Sequence, residues 1–133
     1  MKKYLIGLLL LNLTTVANAD YKCVIEDYRD AAKDKQTEQG FRKNYAGKEF
    51  SVSRSTGLMV GSLKNSYTTS PTVIELGGKE NSFIVVTTMR RSEGIGAGVN
   101  VHVLVVSEYV EATKKPFTYL WNSEVYTGQC TNY

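Results

Sequence analysis

The chain has 133 residues, of which 42% are hydrophobic and 22% charged, with two prolines and eleven glycines. This composition describes one small globular domain, because disordered, collagen-like and cysteine-dense chains are composed very differently. The 16 basic and 13 acidic residues give a formal charge of +3. That balance does not indicate the concentrated basic surface that a nucleic-acid partner needs.

Residues 1–19 have the pattern of a secretory signal peptide. Lys2 and Lys3 precede an apolar run over residues 4–11, and an Ala-Asn-Ala sequence over 17–19 ends before Asp20. The alternative is a membrane anchor, but the run is shorter than the roughly 20 residues of a spanning helix. We therefore predict cleavage after residue 19, a single β domain over 20–133, and a periplasmic or secreted protein without membrane insertion. Cleavage removes two lysines, so 14 basic and 13 acidic residues leave a net charge of +1.

Cys23 and Cys130 lie near opposite ends of the predicted domain. In an oxidising compartment an isolated pair indicates a disulfide. A zinc site would need more ligands than two thiolates and the one histidine of the chain. Closing a loop of this length stabilises a fold by up to about 4.7 kcal/mol in the chain-entropy description. The pair also requires the first and last segments of the domain to meet.

Alternating apolar and polar residues predict strands along most of the chain. One segment, residues 28–47, is polar and lacks this alternation, and we predict a short helix near 29–39 with Gly40 as its stop. The eight predicted strands cover residues 21–26, 50–53, 58–63, 72–76, 82–90, 99–110, 117–121 and 125–130.

Eight successive strands predict an all-β fold, an antiparallel meander that forms a small closed barrel or a sandwich, with one short N-terminal helix or long loop. The disulfide favours closure, because it places the first strand beside the last. In a meander, successive connections lie at alternating ends. The longer connections, residues 28–47, 64–71 and 91–98, are therefore expected at one end.

Binding residues often lie on long loops that a rigid scaffold holds in place. Tyrosine and arginine dominate the energetics of protein interfaces. Within or beside the three long connections, Tyr45, Tyr67, Arg90 and Arg91 are therefore the candidate partner-binding residues.

No catalytic residue, metal site or cofactor is predicted. On the strand over 99–110, the valines at 99, 101, 103 and 105 are assigned to the core, which leaves His102 on the solvent face without a partner for acid–base or metal chemistry. The glycines at 94, 96 and 98 precede a strand rather than a helix, so they are interpreted as a flexible turn and not as a nucleotide cradle.

Aromatic residues mark the last two predicted strands. Phe117, Tyr119 and Trp121 share one face of their strand, and Tyr126 follows on the next strand. Such a stripe is typical of a small β core, although it also suits a binding platform.

Several short motifs resemble a family of small secreted proteins of Gram-negative bacteria. They are FSVSRSTGLMVG (50–61), ENSF (80–83), KPF (115–117) and YTGQC (126–130), and they cover much of the chain from residue 48 onward. That family has no established activity, so the resemblance implies class and location only. The Tyr-Lys-Cys start at 21–23 and the late Cys130 are also similar to the inhibitors of C-type lysozyme. The inhibitory Ser-Gly-x-x-Tyr motif of those proteins is missing here.

The sequence favours a non-enzymatic periplasmic or secreted binding module for a protein or a small ligand. Two alternatives stay open, an inhibitor of an exogenous hydrolase such as lysozyme and a small hydrolase with an unrecognised site. An apolar cavity at one end would favour ligand binding, and a rigid protruding loop with a central anchor would favour inhibition. A buried carboxylate with a perturbed pKa in a cleft would favour the enzyme.

Overall fold

The computed structural model describes residues 20–94 and 98–133, so the predicted signal peptide and residues 95–97 of the glycine-rich loop lie outside it. All eight predicted strands and one helix are present. Their bounds are β1 (Tyr21–Asp30), α1 (Lys35–Tyr45), β2 (Glu49–Val52), β3 (Met59–Gly61), β4 (Thr72–Leu76), β5 (Phe83–Met89), β6 (Asn100–Val106), β7 (Lys115–Trp121) and β8 (Glu124–Asn132).

The eight strands form one antiparallel sheet in the order β3-β2-β1-β8-β7-β6-β5-β4. This is the order of an up-and-down meander in which the first strand pairs with the last, and it confirms the predicted all-β antiparallel meander. Among the described strands, β3 and β4 are the two edges and do not pair with each other. The sheet curls into an open half-barrel, so the predicted closed barrel or sandwich is not confirmed.

The predicted disulfide is confirmed. Cys23 and Cys130 are direct partners in the β1–β8 register, and their Cα atoms lie 4.0 Å apart. The bond spans 107 residues of sequence and ties the first strand to the last at the centre of the sheet. A persistent disulfide of this kind indicates an oxidising compartment.

The helix lies further along the chain than the prediction of 29–39. Residues up to Asp30 continue β1, because they pair with β8, and α1 then occupies Lys35–Tyr45. Asp34 is its N-cap and accepts a hydrogen bond from a backbone N–H of the first turn. Gly40 does not stop the helix but lies inside it, at an open position where no described atom would touch an added Cβ.

The predicted core face of β6 is wrong. Val99 is 57% exposed and Val101 39% exposed, whereas His102, Leu104 and Val106 are buried. Both faces of this segment are apolar, so its alternation alone does not identify the inner face. The register decides, because Leu104 lies beside Val85 and Tyr119, and Val106 lies beside Phe83 and Phe117. The three aromatic side chains among these neighbours bury large apolar areas on this face.

The predicted aromatic stripe does belong to the core. Phe117, Tyr119 and Tyr126 are buried, while Trp121 at the end of β7 is half-buried. The Phe117 ring lies over Gly128 of β8, where an added Cβ would lie 2.8 Å from the ring and 2.0 Å from the Val24 carbonyl oxygen. Only a residue without a side chain fits there.

The segment over 50–61 forms the β2–β3 hairpin and closes one side of the core. Gly57 has a positive φ of 75°, and an added Cβ would lie 2.6 Å from a methyl carbon of Val85. Asn65 from the β3–β4 connection accepts a hydrogen bond from the Met59 N–H at 2.9 Å and donates to the Gly57 carbonyl at 2.8 Å. A buried side chain thereby satisfies backbone groups that no strand pairs at this edge.

The strand register brings the three long connections to one end of the half-barrel, as the meander predicts. The ends of β1 and β7 lie beside the start of β8, and the end of β5 lies beside the start of β6. The two-residue turn Asn122-Ser123 between β7 and β8 shares this end. We call it the loop end; it comprises the connections at 31–48, 62–71, 90–94, 98–99 and 122–123.

Candidate functional site

Two neighbouring clefts open at the loop end on either side of Trp121. The first, the acidic cleft, has a volume of about 390 Å³; the second, the apolar cleft, about 510 Å³. Both volumes lie within the roughly 300–1,000 Å³ of small-molecule sites. The acidic cleft is lined by Asp30, Lys33, Phe41, Tyr45, Asn100, Trp121, Asn122, Ser123 and Glu124, and the apolar cleft by Tyr67, Thr68, Met89, Gly98, Asn100 and Trp121.

Trp121 is held rigidly between the two clefts. Its ring stacks on His102 with centroids 5.4 Å apart, and the exposed Tyr67 ring lies 6.2 Å away on the apolar side. Its indole Nε1 donates to Asn100 Oδ1 at 3.0 Å. Because the indole nitrogen is only a donor, this contact also fixes the orientation of the Asn100 amide.

Asn122 in the β7–β8 turn supports the same amide. Its φ of 53° lies in the left-handed region, where asparagine is tolerated better than most side chains. Its Oδ1 accepts from the Val101 N–H at 3.0 Å, and its Nδ2 donates to Asn100 Oδ1 at 3.2 Å. Asn100 Oδ1 thus receives two donors, so its side chain is preorganised where the two clefts meet.

The floor of the acidic cleft is an ion cluster formed by Asp30, Lys33 and Glu124. Asp30 ends β1 and Glu124 begins β8, and the two residues are direct partners in the register. Lys33 forms an ion pair with Asp30 and donates to Glu124 Oε1 at 3.0 Å. Tyr28 donates to Glu124 Oε1 at 3.0 Å and Tyr126 to Oε2 at 2.9 Å.

The pKa values of this cluster follow from its hydrogen bonds. The bond from Lys33 lowers the pKa of Asp30 to about 2, and the Asp30 partner raises the pKa of Lys33. Burial raises the pKa of Tyr28 to about 12. The formal charges of the two carboxylates and of the Lys33 ammonium give the cluster a net charge of −1. A general acid requires the opposite shift of a carboxyl pKa.

Helix α1 forms the opposite wall of the acidic cleft. The Tyr28 ring stacks on Phe41 and Tyr45 with centroids 5.7 Å and 5.9 Å apart, and Tyr45 meets Tyr126 edge to face at 5.0 Å. Lys33 Nζ lies 4.8 Å from the centre of the Phe41 ring. These contacts fix the half-buried ring of Tyr45 in the wall.

The four predicted partner-binding residues all lie at or beside the loop end, but they occupy different places. Tyr45 lines the acidic cleft, and Tyr67, which is 57% exposed, lines the apolar cleft. Arg90 and Arg91 are exposed residues that directly follow β5 and belong to neither cleft wall.

The prediction that His102 is solvated is wrong, because the side chain faces the core. Its Nδ1 lies 2.6 Å from the Tyr119 hydroxyl, which donates to the Lys64 carbonyl at 2.8 Å. The hydroxyl has one proton, so Nδ1–H is the donor to its oxygen. Burial lowers the pKa of His102, which keeps the ring neutral beneath Trp121.

Sequence reasoning did not identify Asp30, Lys33, Glu124, Asn100 or Asn122 as site residues. Asp30 and Glu124 are far apart in the sequence, and only the β1–β8 register brings them together. The Asn-Ser pair after an aromatic strand was the one available signal, since it marks a two-residue turn.

Known proteins offer no direct guide to this site. No family model, curated protein or solved structure matches the chain. Within residues 20–94 and 98–133, no group of three or more histidine, cysteine or carboxylate side chains is placed to hold a metal ion. The helix of the described region is too short and too polar to cross a membrane.

Proposed function

We propose that this protein is a non-enzymatic binding protein that captures a small ligand at the loop end. The observation that carries the proposal is the pair of clefts on either side of Trp121, where fixed aromatic rings lie beside oriented polar side chains. Sites for small molecules combine apolar walls with a few polar groups that fix the ligand's orientation.

The same proposal places the protein in the bacterial periplasm or outside the cell. The disulfide supports an oxidising compartment. The pattern of residues 1–19 supports export followed by cleavage before Asp20. The resemblance to small secreted proteins of Gram-negative bacteria supports the same location.

A binding role is favoured over hydrolysis by the state of the acidic cluster. Asp30 is a buried carboxylate with a perturbed pKa. Lys33 lowers this pKa, however, whereas the general acid of a hydrolase needs a raised pKa. All three hydrogens of the Lys33 ammonium are directed at the cluster itself, toward Tyr28, Asp30 and Glu124. This arrangement suits a fixed part of the cleft floor rather than a group that exchanges protons with a substrate.

Native mass spectrometry of protein purified gently from its own cell envelope tests the proposal. We expect a bound species of low mass that Tyr67→Ala loses, because this ring lines the apolar cleft. Lys79→Ala in the β4–β5 turn at the opposite end is the matched control and should retain the species. Loss of the species in the Lys79 variant, or its retention when Tyr67 is removed, would place the binding site elsewhere.

Inhibition of a hydrolase is the second candidate, and the loop that carries Tyr67 favours it. Hydrogen bonds from Ser66 to the Thr69 carbonyl, from Thr68 to Met89 Sδ and from Thr69 to the Thr88 carbonyl brace this loop. A braced loop with an exposed aromatic residue suits an anchor for a protein partner.

C-type lysozyme activity with and without this protein tests the second candidate. Inhibition that falls in both Tyr67→Ala and Arg91→Ala would support a protein partner, because Arg91 is exposed outside the clefts. A small ligand should depend on Tyr67 and not on Arg91. Lysozyme activity that is unchanged by the protein would exclude lysozyme as the target.

A further inference from the structure

We propose that the ligand of the loop end is an uncharged saccharide of at least two sugar rings that lies across Trp121. This inference rests on the proposed function and adds the chemical class of the ligand. It follows from the aromatic surfaces, the hydrogen-bonding capacity and the charge of the two clefts.

The aromatic surfaces suit the apolar face of a sugar ring. Trp121 is shared by both clefts, with Tyr45 in the wall of one and Tyr67 in the wall of the other. A pyranose ring presents C–H groups on its faces and hydroxyl groups at its rim. It therefore matches an aromatic face that has polar groups at its border.

The polar groups offer both donors and acceptors to hydroxyl groups. Asn100 Oδ1 is engaged by Trp121 and Asn122, so a ligand meets Asn100 through its two Nδ2 hydrogens. Glu124 receives three donors, from Tyr28, Lys33 and Tyr126. A carboxylate has about four acceptor positions, and this side chain is 19% exposed, so one acceptor stays accessible.

The charge of the cluster disfavours ligands with a full charge. An anion would meet a formal charge of −1, and the Lys33 ammonium is already saturated by its three acceptors. A ligand ammonium would compete with Lys33, which already lies over Phe41 and against both carboxylates. An uncharged ligand rich in hydroxyl groups avoids both costs.

The size of the site sets the minimum length of the ligand. The two clefts, of about 390 Å³ and 510 Å³, share Asn100 and Trp121 in their walls and are therefore adjacent. A ligand that uses both needs a ring on each side of Trp121.

Fluorescence titration tests this inference, because Trp121 is the only tryptophan of the chain and reports on the site alone. The probes are cellotriose, maltotriose and tri-N-acetylchitotriose, with glucose and N-acetylglucosamine as single rings and with inorganic phosphate and spermidine as charged compounds. We expect a saturable change with at least one trisaccharide, at an affinity at least about tenfold above that of its single ring.

Asn100→Asp is the decisive variant. It keeps the oxygen that accepts from Trp121 but replaces the two Nδ2 hydrogens by an acceptor, so trisaccharide affinity should fall at least about tenfold. Lys79→Ala should bind as the wild type does. Thermal unfolding of both variants verifies that they fold.

Three results would overturn the inference. The first is the absence of a saturable fluorescence change with every trisaccharide. The second is an equal affinity for a trisaccharide and for its single sugar. The third is unchanged trisaccharide binding by a folded Asn100→Asp variant. Saturable binding of phosphate or spermidine in place of the trisaccharides would reject the saccharide and leave the proposed function standing. The proposed function fails separately, if the species seen by native mass spectrometry does not depend on Tyr67.

Discussion

Replacing Asp30 by asparagine measures how strongly the acidic cluster stabilises the fold. The Asp30 side chain is 1% exposed and is held ionised by Lys33, which lowers its pKa from 3.8 to about 2. Each pH unit between the folded and unfolded pKa corresponds to about 1.4 kcal/mol. The ionised carboxylate therefore contributes about 2 kcal/mol to the free energy of unfolding at neutral pH.

The sign of the pH dependence follows from the lowered pKa. A carboxyl group with a lower pKa in the folded state stabilises the protein fully above its unfolded value of 3.8. This contribution is lost as the pH falls from about 4 through about 2. Asparagine cannot titrate, so the stability gap between wild type and Asp30→Asn should shrink by about 2 kcal/mol over this interval.

Urea denaturation of the oxidised proteins, followed from neutral pH down to about pH 2, measures this gap. Glu80→Gln, an exposed acid in the β4–β5 turn, is the matched control and should follow the wild type closely. A gap that is independent of pH, or that widens as the pH falls, would refute the account of the cluster.

Three further substitutions test the scaffold, each by urea denaturation. Cys130→Ser should lower the free energy of unfolding by about 2–5 kcal/mol, the usual cost of a lost disulfide; a smaller loss would show that the bond adds little to the β1–β8 pairing. Gly128→Ala should cost at least about 2 kcal/mol, because an added Cβ would lie 2.0 Å from the Val24 carbonyl oxygen, and a neutral effect would contradict the close approach. Asn65→Ala should cost about 2–4 kcal/mol, since it leaves the Met59 N–H and the Gly57 carbonyl unpaired; an effect under about 1 kcal/mol would mean that water replaces the side chain.

The strand pattern and the disulfide could be predicted because both depend on local sequence or on simple counting. Alternation identifies a strand wherever one face is polar, and two cysteines in an oxidising compartment have one pairing. The order of the meander then places the long connections at one end. These inferences need no knowledge of which residues meet across the sheet.

Neither the buried face of β6 nor the first and last residues of α1 could be predicted without the tertiary structure. His102 belongs to the core because its neighbours across the sheet are Thr87 and Trp121, which an apolar run of valines does not reveal. Residues 27–30 extend β1 because β8 is available to pair with them, although their polar composition suggests a loop or helix.

The acidic cleft could not be predicted from the sequence for a related reason. Asp30 and Glu124 are 94 residues apart, and each looks like an ordinary surface acid in its own segment. The pairing of β1 with β8 makes them direct neighbours, and Lys33 in the following turn compensates one of their two negative charges. Of the site's aromatic residues, Tyr45 and Tyr67 were predicted as binding residues, whereas Trp121 was assigned to the core stripe.

Nuclear magnetic resonance of the isotope-labelled protein tests the location of the binding site most directly. The labelled protein would be titrated with the low-mass fraction of a cell-envelope extract. The account predicts shifts of the Trp121 indole N–H and of the Asn100 and Asn122 side-chain amides, with the β4–β5 turn at 77–82 unchanged. Shifts confined to that turn, with the Trp121 signal unmoved under saturating ligand, would contradict a binding site at the loop end.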